Sequence, residues 1–548
     1  MNNAPTTRIA ERTATFRILA ADRIAQEGLD FIASQPDTEV LSRTGLSEQE
    51  LADTIGDFDG LIVRSGAKIT ARVLERPGRL KVIARAGVGT DNIDLDAATA
   101  AGILVLNTAE ASTITTAEHT FALLLALARH VGPAYASMRE GAWQHSGFDG
   151  RQLAGKTLGI VGFGRIGRTI AVRALAFDMN VIAFDPFINA ATTMEGRVRM
   201  SDRFEDLLPH ADILTFHVPL NDQTRALLDR RTLSLCREGV MVVNASRGGV
   251  VDEGTLLEGL QTGKVGGAAL DVFETEPLPS DSPLRSHDRV LLTPHLGAST
   301  LEAQQAVSTD AAAAVLEYLR GKQVRGAVNA TGLRLDLDPT QACFADLANR
   351  MARLLDPMMG GRIRAVTLHI ASPQLTAVAA TLERICLVGL LQSHLDVPLN
   401  LVNAGHVAKQ RGIEQRTVTA EHDPSTGAQL VLEVSADGRG EGKPHRIEGR
   451  VYDDMRPRVV QINGYHMDMI PAGFMVLILN DDRPGMVGLV GTQFGEARIN
   501  IADMAISRRD HTALMVLKID EPPGDELLDR LRTCPGIRKV ALVKLPKE

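Results

Sequence analysis

A run Gly162-Phe163-Gly164-Arg165-Ile166-Gly167 stands between the β-branched stretch Leu158–Val161 and a helical stretch that reaches about Phe177. Glycine at the first place permits a tight turn. At the second it lets backbone approach a pyrophosphate, and at the third it lets helix and strand pack closely. The N–H groups of Arg165 and Ile166 open the helix, where its dipole favours phosphate. A second strand, Val181–Phe184, ends at Asp185, 18 residues after the last glycine. A carboxylate there accepts hydrogen bonds from both hydroxyls of a ribose and repels a 2′-phosphate, so the expected cofactor is NAD rather than NADP. A glycine motif alone is a weak signal; strand, helix, second strand and acid in this order make it specific.

Four further apolar runs each end in polar or glycine-rich residues. Ile213–Phe216 leads into His217-Val218-Pro219, and Val240–Val243 into Asn244-Ala245-Ser246-Arg247-Gly248-Gly249. Ala268–Leu270 leads into Asp271-Val272-Phe273-Glu274-Thr275-Glu276-Pro277, and Val290–Leu292 into Thr293-Pro294-His295-Leu296-Gly297. Strands that alternate with helices build a parallel sheet, and ligands gather at its carboxyl edge. Strand polarity alone therefore brings Arg247, Glu276 and His295 to one face. Upstream, Leu61–Val63, Val82–Ala84 and Ile103–Leu106 end at Arg64, Arg85 and Asn107. The two arginines are either anion-binding groups or surface ion-pair partners, and the pattern leaves both readings open.

The elements that must carry these residues exceed one core. A chain of 548 residues with 44% hydrophobic content calls for several domains. The expected class is α/β. Two doubly wound parallel-sheet units, flavodoxin- or Rossmann-like, span 16–107 with 302–330 and 108–301, and the alanine-rich helix Leu301 to about Arg320 carries the chain back to the first. Asp336-Leu337-Asp338-Pro339 reads as a linker into an α+β unit, 338–470, with apolar helices and strands at Gln429–Val434 and Val459–Ile462. Residues 474–548 read β-α-β-β-α-β, a ferredoxin-like split βαβ, with Asp482 placed to cap its first helix ahead of Pro484.

A net charge of −8 and the lack of any long basic run argue against a nucleic-acid partner. No apolar stretch reaches the roughly 18 residues of a membrane span, and Phe121–Ala128 is short enough to be a core helix. Residues 1–15 are polar, without the pattern of a signal peptide, and the first dozen read as a disordered tail. The four cysteines, Cys236, Cys343, Cys386 and Cys534, form no C-x-x-C pair, so neither a metal site nor a disulfide framework is expected. A soluble cytoplasmic protein is the default.

The segments Arg85-Ala86-Gly87-Val88-Gly89-Thr90-Asp91-Asn92, 162–167, Asn244–Gly249 and Thr293-Pro294-His295-Leu296-Gly297-Ala298 resemble the D-2-hydroxyacid dehydrogenases. The four-part order, over about 16–548, is similar to the long-form members. These oxidise 3-phospho-D-glycerate to 3-phosphohydroxypyruvate, the first step of L-serine biosynthesis. The last unit looks like their regulatory ACT domain and the one before it like their intervening, allosteric substrate-binding domain.

The resemblance implies that Arg247 holds the substrate carboxylate and polarises the carbonyl, that His295 is the acid/base group, and that Glu276 is its partner. These types suit the chemistry. A base must take the hydroxyl proton as hydride leaves C2, histidine titrates near neutrality, and a guanidinium grips a carboxylate bidentately. Nucleotide contacts are implied at Val88, Arg165, Ile166, Asp185, Val218, Ala245, Ser246, Asp271 and Gly297, beside Arg247 and His295. Arg64, Ser65 and Arg85 would take the far anionic end of a small substrate. Asn480, Asp482 and Asn500 match the positions for an L-serine effector. Trp143 falls where the family packs a tryptophan across a dimer interface, the alternative being a partly buried core aromatic, and a homotetramer is implied.

The loop Asn107-Thr108-Ala109-Glu110-Ala111-Ser112 departs from the usual N-x-P-x-x-N. Proline and the second asparagine are absent, and an inward Glu110 would repel a phosphorylated substrate. The alternatives are another D-2-hydroxyacid dehydrogenase (glyoxylate, lactate or formate) or an NAD-sensing corepressor-like binding protein. The 200-odd C-terminal residues argue against the former, and an amino-acid-binding tail against the latter.

Overall fold

The structure, a computed structural model, describes residues 16–143, 145–188, 191–395, 398–419, 428–437 and 444–547. The polar N-terminal tail, and Gln144 beside Trp143, lie outside the described residues.

Four sheets organise the chain. The first is fully parallel, in the spatial order Thr38–Ser42, Phe16–Ala20, Gly60–Val63, Val82–Arg85, Leu104–Asn107. The helix Leu301–Leu319 returns to it and lays Val307, Ala311, Ala312 and Val315 into the same apolar cluster as Ile18, Ile32, Val82 and Leu104. Alanine on that helix allows close approach. Across from it, a Cβ on Gly28 would lie 2.9 Å from the Ser308 carbonyl oxygen, so glycine is needed where the two helices touch.

The second sheet runs Val290–Leu292, Val265–Leu270, Val240–Asn244, Ile213–Phe216, Thr157–Val161, Asn180–Phe184, Val198–Ser201 and Thr192–Thr193. All its pairings are parallel except the last. Strands buried on both faces explain the unbroken apolar runs in the sequence. The carboxyl edges of the two sheets face one another. Arg247, on the second, pairs with Asp91, on the first, across a cleft.

The third sheet orders Glu414–Thr419, Ile363–Ala371, Gln429–Ala436, His445–Val451, Pro457–Ile462 and Tyr465–Met469. Asp338 proves to be the N-cap of the helix Pro339–Leu355 rather than part of a linker. It forms a capping box with Gln341, with Pro339 in the first turn, where a missing N–H costs nothing.

The fourth sheet has the order Ile501–Arg509, Thr512–Ile519, Phe474–Asp481, Ile537–Lys544, the split βαβ arrangement expected for the last unit. Asp482 does not cap its first helix. That helix, Met486–Glu496, begins after Gly485, whose left-handed φ of 91° lets the chain turn in past Pro484. The inner face of this sheet shares one apolar cluster with the third unit, Leu477, Val516 and Val543 lying with Phe344, Leu354 and Leu355. Arg350 ties the joint. Its buried guanidinium donates to the carbonyls of Pro471, Pro546 (2.9 Å) and Lys547 (3.2 Å), gripping the entry and exit of the last unit together.

Candidate active site

The glycine turn has the shape of a phosphate cradle. At Gly162 the φ is +92°, and a Cβ would lie 2.4 Å from the His217 carbonyl oxygen. At Gly167 it would lie 2.2 Å from the Gly162 carbonyl oxygen, whereas at Gly164 it would meet nothing within 4 Å. Two glycines are thus demanded by the fold and the middle one borders open space. The helix Arg165–Ala176 starts at Gly164 with no side-chain cap, which leaves its first-turn donors to a ligand. The Asp185 carboxylate is pinned at the end of its strand by the N–H groups of Phe163 (2.9 Å) and Phe187 (3.0 Å). Val218 and the half-buried His217 close the other side of the turn. Burial holds the His217 ring neutral, its pKa pulled down to about 3. Glu110 turns toward the helix, pairing with Arg165 at 2.6 Å instead of facing the arginines of the first sheet.

His295 and Glu276 meet through Nδ1 and Oε2 at 2.7 Å. Burial pushes the Glu276 carboxyl up. The hydrogen bonds from His295 and from the Phe273 N–H (3.1 Å), with the charges of His295 and Arg247, outweigh this and hold it below its ordinary range. An ionised carboxylate accepts only, so His295 Nδ1 carries a proton toward it and Nε2 is left for a reacting group.

The ring is aimed by its turn, in which His295 adopts a left-handed φ of 55°. The turn hangs on Asp271, 0% exposed, which accepts from Leu296 N (2.7 Å), Thr293 Oγ1 (2.6 Å) and Gly297 N (2.8 Å). The Asp271 carboxyl is raised by burial but lowered further by these donors and by His119, whose Nε2 stands 3.1 Å from Oδ1. His119, on the helix Thr113–Ala128, is invisible to a reading by motifs because it belongs to none. Its signal was the need of a buried strand-end carboxylate for a donor from outside its own loop.

Arg247 follows a knot built on the buried Asn244. The Asn244 amide oxygen accepts from Ser246 N (3.1 Å) and Oγ (2.8 Å), and its amide nitrogen donates to the Arg247 carbonyl (2.9 Å). Ala245 and Ser246 lie in this turn. The Arg247 guanidinium gives Nη1 to the Ser246 carbonyl at 2.6 Å and Nε to Asp91 at 3.1 Å.

Arg85 is half-buried and makes no ion pair with a described residue, so it is not a surface ion-pair partner. Burial, then the charges of Arg247 and Arg64, pull its pKa down to about 10. Its Nε has no partner, and Nη1 reaches only the Ala86 carbonyl at 3.4 Å. Asp22 and Asn92 hold the backbone around Arg64, and Arg64 Nη1 donates to the Arg23 carbonyl at 3.3 Å. Ser65 is exposed next to it, and Val88 is fixed by Asn107 Nδ2 on its carbonyl at 2.7 Å.

The three effector positions do not come together within one chain. Asp482 pairs with Arg508 (3.3 Å), near the hairpin turn, while Asn500 bonds Asp520 (2.8 Å), beyond the hairpin's open end. The register Ile501↔Ile519 to Arg509↔Thr512 puts the length of a nine-residue strand between them, about 27 Å. Asn480 is 1% exposed, donates to the Asp481 carbonyl and leaves its own amide oxygen without a partner. Trp143, at 78% exposure, is no core aromatic; Tyr135 and Met138 are exposed on the helix just before it.

Residues 121–297 match the family model of the D-isomer-specific 2-hydroxyacid dehydrogenase NAD-binding domain, and residues 341–463 that of the D-3-phosphoglycerate dehydrogenase intervening domain. The chain is 38% identical over 536 residues to the D-3-phosphoglycerate dehydrogenase of Archaeoglobus fulgidus, covering 96% of this chain and 100% of that one. The corresponding enzyme of Bacillus subtilis is 36% identical, with 97% and 100% covered. Among solved structures, a glyoxylate reductase from Paecilomyes thermophila matches with a TM-score of 0.53 at 28% identity, over 57% of this chain and 98% of that one. The D-lactate dehydrogenase of Escherichia coli gives 0.50 at 26%, over 57% and 100%.

Proposed function

The chain belongs to the D-3-phosphoglycerate dehydrogenase family of NAD-dependent 2-hydroxyacid dehydrogenases, and we propose from this that it oxidises 3-phospho-D-glycerate to 3-phosphohydroxypyruvate under feedback by L-serine. The observation that carries the substrate is the half-buried guanidinium of Arg85, whose Nε has no partner, beside Arg64 and Arg247 and on the cleft that the His295–Glu276 dyad lines. A half-buried cation that no carboxylate pairs directly calls for an anionic ligand, and an acid with a phosphate at its far end offers one charge for each end of this row.

The residues present fit NAD: the open side of Gly164, the uncapped helix start at Arg165 and Ile166, and the pinned Asp185 carboxylate. When bound, NAD supplies the two-electron acceptor. In this reading Arg247 seats the 2-carboxylate, Arg85 and Arg64 with Ser65 take the phosphate, and His295 Nε2 removes the C2 hydroxyl proton. Glu276 stabilises the imidazolium that results. Asp271 acts through the turn it holds, since its carboxylate is already met by protein donors. Mixing enzyme, NAD and either 3-phospho-D-glycerate or D-lactate tests the assignment. Faster NAD reduction with the phosphorylated acid is expected, and equal rates would return the chain to the wider family.

Asp185 sets the cofactor. Asp185→Ala should weaken NAD binding and narrow its preference over NADP, as the acceptor of the ribose hydroxyls and the charge against a 2′-phosphate go together. Steady-state constants with both cofactors decide it, and unchanged discrimination removes Asp185 from the role.

Feedback is supported by the split βαβ unit. Asp482 and Asn500 are both exposed, at opposite ends of one chain, so a site made of both needs a second copy laid antiparallel. An Asp482 carboxylate suits an ammonium, and an Asn500 amide suits a carboxylate or hydroxyl. The exposed Trp143, Tyr135 and Met138 support a second self-association surface on the dinucleotide unit, and two such surfaces support a tetramer. No described helix is long and apolar enough to cross a membrane; a cytoplasmic enzyme is the reading adopted. Millimolar L-serine should lower the initial rate of the wild type and not that of Asp482→Ala.

A further inference from the structure

The loop Arg85–Asn92 lies over the guanidinium that the substrate carboxylate needs. The Asp91 Oδ2 stands 3.1 Å from Arg247 Nε, while Nη1 is taken by the Ser246 carbonyl at 2.6 Å. A Cβ on Gly89 would fall 1.8 Å from Nη2 and 2.6 Å from the Asp91 carboxylate, so the loop backbone sits against the remaining edge of the fork. The fork is thus occupied on every side: a backbone carbonyl, a backbone surface and a carboxylate. Only the carboxylate is easily given up. The Asp91 side chain is 68% exposed while that of Arg247 is 25% exposed, so on separation Asp91 gains water and Arg247 is left seeking an anion. The pair also spans the cleft, Asp91 coming from the first sheet and Arg247 from the second.

We propose that Asp91 is an internal stand-in for the substrate's 2-carboxylate: it occupies Arg247 in the free enzyme and is exchanged for the substrate on binding, so that it sets substrate affinity. This deepens the reading of Arg247 as the carboxylate seat and rests on it. Arg247 must trade one carboxylate for another, so each ligand forfeits the same interaction, whatever it carries at its other end. An ion pair of this exposure is worth up to about 1 kcal/mol, a factor of about 5 in affinity. The exchange also keeps Arg247 neutralised when no substrate is bound, which matters in a cluster where the charges of Arg247 and Arg64 already act against that of Arg85.

The test compares wild type with Asp91→Asn, which is nearly isosteric and uncharged. One readout is the Michaelis constant for the keto acid 3-phosphohydroxypyruvate, with NADH as reductant. The other is the competition constant of oxamate, which has one carboxylate and no phosphate. Both should tighten by the same factor, about 2- to 5-fold, with kcat not reduced. The gain should vanish when Asp91→Asn is added to Arg247→Met, because the effect acts through that side chain. A weakened Michaelis constant with a lowered kcat would mean that Asp91 instead holds Arg247 in working orientation. A gain larger for the phosphorylated ligand than for oxamate would mean that the loop acts only through its overall field. A gain that persists without Arg247 places the effect elsewhere. Each of these three overturns the exchange. If Arg247→Met alone leaves both constants at their wild-type values, it is the seat itself that fails.

Discussion

Replacing His295 by alanine is expected to lower kcat by about 10²–10⁴, the usual worth of a positioned acid–base group, while the NAD dissociation constant stays near wild type. The ring meets Glu276 at 2.7 Å and projects from a turn held by Asp271, so no cofactor-binding backbone depends on the imidazole itself. Glu276→Gln should act through the ring. Its carboxylate is kept ionised by the His295 and Phe273 donors against the effect of burial. Without that charge the imidazolium formed in oxidation, and required at the start of reduction, loses its counter-ion. Glu276→Gln should therefore lower kcat in both directions. Initial rates of oxidation and of reduction check it. Unchanged rates in Glu276→Gln would dissolve the dyad, and a collapse of NAD affinity in His295→Ala would make the histidine structural.

Arg85→Met should separate function from stability. Affinity for the phosphorylated substrate is expected to fall about 10²-fold, the value of two charge-assisted hydrogen bonds at about 1.5 kcal/mol each. The loss for pyruvate, which lacks the far anion, should be much smaller. At the same time the free enzyme should become more stable, by about 1–2 kcal/mol, because an apolar side chain of similar reach replaces a half-buried cation whose Nε has no partner. The midpoint of denaturant unfolding without ligand measures this. A lower midpoint would show that Arg85 supports the fold and that its lack of partners is not reserved for a substrate. Equal losses on both substrates would remove it from the phosphate end.

What the chain by itself determined is the set of groups whose places follow from local periodicity and turn chemistry. A strand that feeds a helix through Gly162, Gly164 and Gly167 has few conformations open to it, because a Cβ at the first or third would strike the backbone of His217 or of the turn itself. Parallel strands then put every loop that follows a strand on one edge, so Arg247, Glu276 and His295 were legible together without any knowledge of distance. The split βαβ order of the last unit was equally local, being a succession of apolar runs and turns.

Tertiary structure alone decided the contacts between residues far apart in the chain. His119 and Asp271 are partners only because the helix Thr113–Ala128 crosses the sheet at that height, and neither neighbourhood in sequence announces the other. Asp91 could be read as part of a family-like segment, but its pairing with Arg247 depends on how two separate sheets approach. Glu110 faced two possible directions, toward the arginines or away, and the start of the helix at Arg165 settled it. The effector positions are the reverse case: close in number, Asp482 and Asn500 are driven to opposite ends of a hairpin by the helix between them. Charge and hydrogen-bond partners act over a few ångströms of space, and a sequence states spacing along the chain. It therefore names the groups that carry chemistry wherever the chain itself sets their geometry, and leaves to packing the choice of which of them meet.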